Sequence, residues 1–265
     1  MEKVQCNGTT ICYVDQGQGE PIILLHGFCG SSAYWEQLLP HLPGYRLIVP
    51  DLRGHGRSDA PMGSYTIEQM ADDVQLLMDE LDIQKAVLLG HSLGGYITLS
   101  FAQRYASRLH GFGLIHSTGY PDSEEAKEKR VKAVSTIQGE GITSFVDNLV
   151  PGLFATDTEK LKPECIQRAK EIGYLTPPQG AIGAALAMRE RPDRRDVLSA
   201  STLPILLVAG EKDALIPPER SFTTDHDNVT KVVIEGAGHM SMMEAPEKLG
   251  EAIVAYMKSL HAESE

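Results

Sequence analysis

Short apolar runs, each stopped by glycine or a polar residue, alternate along the chain with longer stretches whose apolar side chains recur at helical spacing. Six such runs form the skeleton. They lie at 21–25 before His26-Gly27, 45–49 before Pro50-Asp51, 85–89 before Gly90, 112–115 before His116, 204–209 before Gly210 and 231–234 before Glu235-Gly236. Continuous apolar runs of this length fit strands buried on both faces of a parallel sheet. Residues 10–14 add a strand closed by a polar turn at 15–20. Between the runs, 65–81 carries Ile67, Met70, Val74, Leu77 and Met78 at helical spacing, with Thr66 as N-cap. Residues 94–104 and 246–260 read as further helices, the last with Leu249, Ile253, Tyr256 and Met257 on one face. Strands alternating with helices predict right-handed βαβ units, and hence an α/β fold with a doubly wound, mostly parallel sheet.

One interval departs from the alternation. From 120 to 201 the signals are helical throughout. Asp122-Ser123-Glu124-Glu125 reads as a capping box, Asp122 paired with Glu125, opening a charged helix that runs to about residue 138. Helices are also predicted at 142–149, 159–172 and 179–189, separated by Pro151-Gly152 and Pro177-Pro178. The expected organisation is therefore a core of residues 1–119 and 202–265 with a helical cap, 120–201, inserted between two strands.

Composition narrows the function classes. In 265 residues, 42% hydrophobic and 23% charged, the balance is that of an ordinary globular protein. The formal charge is −12 and the basic residues are scattered, without the stripe that tracks a phosphate backbone, so we expect no nucleic-acid partner. No apolar stretch is long enough to span a bilayer and the N-terminus lacks a signal-like apolar segment, so we expect no membrane partner and a cytoplasmic location. The cysteines, at 6, 12, 29 and 165, have no metal-binding spacing and are expected as free thiols. Oligomeric state is left open by the sequence.

The candidate chemistry begins at Gly90-His91-Ser92-Leu93-Gly94, which reads G-x-S-x-G between a predicted strand and a predicted helix. In that context the pattern forms a nucleophile elbow, a sharp turn that exposes a strained serine and needs glycines around it. Serine attack also requires a base, a carboxylate to orient the base, and donors for the oxyanion. The N–H of Leu93, at the start of the following helix, is one candidate donor, and the N–H of Phe28, after the first buried run, is the second. The carboxylate is expected at the carboxyl end of a late strand, where ligands of open α/β sheets bind. Asp213 is favoured there over Glu211. His239 follows the last strand and completes the chain order Ser92, Asp213, His239.

Other conspicuous residues have a plainer reading. Asp51, Arg53 and Arg57 lie in a glycine-containing turn, where charge pairs hold a loop more often than they do chemistry. His91 is expected to make a structural hydrogen bond, and His26 to support the oxyanion loop. His116 either lines the pocket or is a buried polar residue. Phe145, Leu149, Leu153 and Phe154 either pack the cap or line the pocket. Arg189, Arg191, Arg194 and Arg195, interleaved with Asp193 and Asp196, either bind a substrate carboxylate or form an internally paired, solvated surface.

Taken together, His26-Gly27-Phe28, the segment from Asp51 to Asp59, Gly90 to Gly95, Gly210-Glu211-Lys212-Asp213, and Gly238-His239 with Glu244-Ala245-Pro246-Glu247 resemble the α/β-hydrolase fold superfamily, in its capped, esterase-like form. The resemblance spans nearly the whole chain. It implies a carboxylesterase-like serine hydrolase of a small-molecule ester, working without metal or organic cofactor. The same motifs resemble carbon–carbon bond hydrolases, lactonases and cofactor-free perhydrolases, and a hydrolase-like ligand receptor is the non-enzyme alternative. Serine at the elbow, where epoxide hydrolases and haloalkane dehalogenases carry aspartate, points to an acyl-enzyme.

Overall fold

The computed structural model describes residues 1–262; residues 263–265 of the predicted core lie outside the described residues. Eight strands form one sheet: β1 (Glu2–Cys6), β2 (Thr9–Gln16), β3 (Pro21–Leu25), β4 (Arg46–Pro50), β5 (Ala86–His91), β6 (Leu109–Ile115), β7 (Ile205–Gly210) and β8 (Val229–Ile234). Their spatial order is β1-β2-β4-β3-β5-β6-β7-β8. The six strands from β4 to β8 in that order run parallel, while β2 pairs antiparallel with β1 and β4. The apolar runs are buried as expected: Ile22, Ile23, Leu24, Leu25, Val87, Leu88 and Leu89 are all inaccessible. A sheet covered on both faces removes such side chains from water at about 25 cal/mol per Å² of apolar area.

The covering helices of the core are α1 (Ile67–Glu80) and α2 (Leu93–Tyr105), and Thr66 caps α1 by accepting the N–H of Gln69. Between β6 and β7 the described chain is helical: α3 (Glu124–Leu149), α4 (Thr158–Leu161), α5 (Pro163–Tyr174), α6 (Pro178–Glu190) and α7 (Arg195–Ala200). After β7 come α8 (Pro218–Ser221), α9 (Ser241–Glu244) and α10 (Pro246–Ala262). The helix expected to open at the 122–125 capping box and run to about 138, and the one expected at 142–149, are one element bent at Gly141, whose φ of 87° breaks the helical path.

Two local expectations are corrected. The N-cap of α3 is Ser123, which accepts the N–H of Ala126. Asp122 is drawn away from any capping role by two guanidinium groups, Arg191 at 2.5 Å and Arg130 at 3.0 Å. Strand β1 was not expected, since its residues are mostly exposed and polar; it is held by β2 through a turn in which Asn7 and Gly8 have φ of 48° and 74°.

Candidate active site

The carboxyl ends of β3, β5, β6, β7 and β8 open onto one edge of the sheet, and the loops there carry the expected residues. Ser92 sits between β5 and α2 with φ 51° and ψ −111°, a strained conformation for a side chain bearing a Cβ. The turn is tight enough that a Cβ on Gly90 would collide with the carbonyl of Gly94, which explains glycine at this position. Leu93 opens α2, so its N–H has no acceptor within the helix. Phe28 follows β3 across the same edge. Ser92, Phe28 and His239 line one cavity of about 310 Å³, walled by Leu149, Leu153, Met188 and Tyr96.

Asp213, after β7, is fully enclosed. Its Oδ2 accepts from His239 Nδ1 at 2.8 Å, and its Oδ1 accepts the N–H groups of Leu215 and Ile216, each at 2.9 Å. Burial pushes this carboxyl upward, but the pull of His239 and His116 outweighs it and holds the group well below the usual carboxylate range. With Nδ1 bonded to Asp213, His239 presents Nε2, which is buried and unpartnered. A base whose free nitrogen borders the cavity can take a proton from Ser92. No hydrogen bond joins Ser92 to His239 Nε2 in this geometry.

The loop carrying His239 is anchored to the helical segment. Its N–H donates to Leu153 O, and Glu244, which is buried, accepts from the N–H groups of Gly238, Met240 and Ala155 and from Thr158 Oγ1. A single carboxylate thus ties the histidine loop to residues 155–158.

The histidines around this centre are buried. His91 bonds through Nε2 to the carbonyl of His239 at 2.9 Å, a structural contact as expected. His26 accepts the N–H of Leu52 at Nε2 and donates from Nδ1 to Gly27 O, joining the loop after β4 to the one that carries Phe28. Asp51 joins the same two loops by accepting the N–H groups of Ser32 and Arg57. His116 does not line the cavity. It ends β6 with a positive φ of 49°, placing Nδ1 3.3 Å from Asp213 Oδ2 and Nε2 2.6 Å from Ser241 Oγ. No local pattern announces this role, because its partners lie 97 and 125 residues further on. His116, Asp213 and His239 also have donor atoms within 4.8 Å of one another, close enough to share a metal ion. Here His239 Nδ1 is hydrogen-bonded to Asp213, an arrangement suited to proton transfer at Nε2.

Burial, above all, drives the pKa values of His26, His55, His91 and His116 downward, that of His55 to about 4. Each is therefore neutral in the folded protein near pH 7, whereas in the unfolded chain it takes up a proton near 6.5. The unfolded state binds more protons below that value, so stability must fall as pH is lowered. Urea midpoints are expected to decline from pH 6.5 towards 4; midpoints flat between pH 7 and 5 would contradict this.

Arg189, Arg191, Arg194 and Arg195 are paired, though not all in solvent. Arg195 bonds Asp193 at 2.5 Å and Arg189 lies 3.3 Å from Glu190 on the surface. Arg191 and Arg194, in contrast, are buried, Arg191 on Asp122 and over the Tyr96 ring at 3.8 Å, Arg194 on Glu68. The solvated reading fails for these two because each finds a carboxylate from a distant segment. All four cysteines are free and buried, and burial pushes the Cys6 thiol up to about 12.

Comparison with known proteins places this geometry. Residues 20–141 match the family described as the alpha/beta hydrolase fold. A thermophilic esterase from Thermogutta terrifontis, solved with malate bound, is 36% identical and superimposes with a TM-score of 0.93 over 98% of this chain and 100% of its own. The 2-(acetamidomethylene)succinate hydrolase of Mesorhizobium japonicum is 30% identical over 96% of this chain and 94% of its own. A haloalkane dehalogenase of Sphingobium indicum is 27% identical over 97% and 95%. Among the described residues no helix is long and apolar enough to cross a membrane. The chain is a carboxylesterase-like enzyme and belongs to the alpha/beta hydrolase fold family.

Proposed function

We propose that the protein is a serine hydrolase that cleaves a small or medium carboxylic ester through an acyl-enzyme, with residues 120–201 acting as a cap over the site. The observation that carries this reading is the strained Ser92 on the wall of a cavity that it shares with a histidine hydrogen-bonded to a buried aspartate. Ser92 Oγ attacks the carbonyl carbon while His239 Nε2 takes its proton. The N–H groups of Phe28 and Leu93 receive the developing oxyanion. The proton then passes from His239 to the departing alcohol, and a water deprotonated by His239 releases the acid and restores the serine. Asp213 keeps the proton of His239 on Nδ1 throughout. Serine at the elbow favours this acyl chemistry over the alkyl chemistry of a dehalogenase.

A cavity of about 310 Å³ suits a small substrate. One relative was solved with malate bound and another is named a 2-(acetamidomethylene)succinate hydrolase, so both names contain a dicarboxylate. The direct test is covalent capture. An alkyl fluorophosphonate is expected to add one equivalent to the peptide bearing Ser92 and to abolish turnover of p-nitrophenyl acetate in step. Labelling elsewhere, or turnover that survives complete labelling, would remove the acyl-enzyme reading.

A further inference from the structure

The charges on the cavity wall are out of keeping with the rest of the molecule. In a chain with a formal charge of −12, the cavity is lined by four cations, Lys129, Arg130, Arg191 and Arg220, against two carboxylates, Asp122 and Glu125. The pairing leaves a surplus. Asp122 is shared by Arg191 and Arg130, so two guanidinium groups face one carboxylate. Arg191 is buried and also bonded to the carbonyls of Tyr120 and Met188, which makes it part of the wall. Arg130 commits only Nε to Asp122, leaving its terminal nitrogens available. Lys129 is offset by Glu125 at 2.7 Å.

Arg220 stands apart from these. It forms no ion pair among the described residues, although twenty such pairs exist there. Its backbone is fixed by Thr118 Oγ1, which donates to Arg220 O at 2.7 Å, and its guanidinium lies over the Tyr120 ring at 5.0 Å. Arg195 approaches the same ring at 4.3 Å, so Tyr120 supports two cations. An arginine held over a ring beside a cavity, without a carboxylate of its own, keeps its planar fork of donors for a ligand. It belongs to α8, after β7, whereas Arg130 belongs to α3, so separate elements carry the two to the cavity.

We propose that the substrate carries a carboxylate in addition to its scissile carbonyl, and that Arg220 from the core and Arg130 from the cap bind it. The inference rests on the serine hydrolase reading above and names its substrate class: half-esters of dicarboxylic acids and their kin. A neutral ester of the same length would leave the surplus cations without a counter-charge.

The test compares mono-p-nitrophenyl glutarate with p-nitrophenyl pentanoate, which match in chain length and leaving group. Wild type is expected to favour the half-ester in kcat/KM by about tenfold or more, an advantage that shrinks as salt is raised. Arg220→Gln should lower the ratio of half-ester to neutral ester about tenfold, mainly through KM, with Arg130→Gln acting in the same direction. Lys248→Gln, which removes an exposed cation on α10 outside the cavity, should leave the ratio unchanged. The proposal is overturned if wild type shows no preference for the half-ester, or if Arg220→Gln and Lys248→Gln give the same ratio. Should neither ester be hydrolysed, the serine hydrolase reading fails, and the anion site is judged separately by calorimetry with glutarate. Binding to Ser92→Ala that is lost in Ser92→Ala/Arg220→Gln would support it, and equal or absent binding would refute it.

Discussion

Asp213→Asn is expected to lower kcat for p-nitrophenyl esters by about 10⁴-fold with the fold preserved. The geometry determines which way the new amide must face. Oδ1 of Asp213 accepts two backbone N–H groups, from Leu215 and Ile216, so the amide oxygen has to stay there. The amide nitrogen then takes the place of Oδ2, opposite His239 Nδ1 at 2.8 Å and His116 Nδ1 at 3.3 Å. Two donors cannot face each other, so His239 must move its proton to Nε2, the nitrogen needed as base. Ser92 then has no acceptor for its proton, although cavity and oxyanion donors are untouched. Because the wild-type carboxyl is held well below the usual range, it is ionised at every pH at which the enzyme is assayed. Loss of activity on mild acidification therefore belongs to another group. Stopped-flow acylation by wild type and Asp213→Asn, alongside thermal melts of both, checks the effect. A loss under about tenfold with an unchanged melting temperature would show that Asp213 does not set the tautomer of His239.

The legibility of this arrangement in the sequence follows the range of the interactions involved. Buried parallel strands leave continuous apolar runs, so β3 could be read to the residue. The elbow at Ser92 is equally legible, since steric crowding within five residues requires glycine at 90. Strand β1 left no apolar trace because its outer residues meet solvent, and only Asn7-Gly8, a hairpin turn signal, could have revealed it. Asp122 was misread because a local pattern, Asp122 with Glu125, competed with a partner 69 residues away. The same limit hid His116, whose neighbours come from the ends of β7 and β8. Side-chain pairs between separate loops have no periodicity, and the site is built largely from such pairs.

That principle extends to the loop after β4, where the charged segment from Asp51 to Asp59 looks catalytic and is instead a clamp. Arg53 donates twice to Asp73 of α1, at 2.5 and 2.6 Å, with both side chains almost wholly buried. The Tyr65 ring lies beneath the guanidinium at 5.7 Å. Asp73→Ala leaves Arg53 charged, buried and without its carboxylate, and is expected to cost about 3–5 kcal/mol of stability. Breaking a buried pair is costly chiefly because of the stranded charge, since desolvation has already consumed most of the attraction between the partners. It follows that Arg53→Met/Asp73→Leu, which removes both charges while conserving apolar volume, should recover most of the loss. The recovered protein should also hydrolyse esters at close to the wild-type rate, because neither residue lines the cavity that holds Ser92. Urea unfolding of the wild type, both single variants and the double variant closes the cycle. A double variant as unstable as Asp73→Ala would mean that packing around α1, and not the stranded guanidinium, sets the cost. A fully stable but inactive double variant would instead give the clamp a part in shaping the oxyanion loop, which His26 and Asp51 join to this same turn.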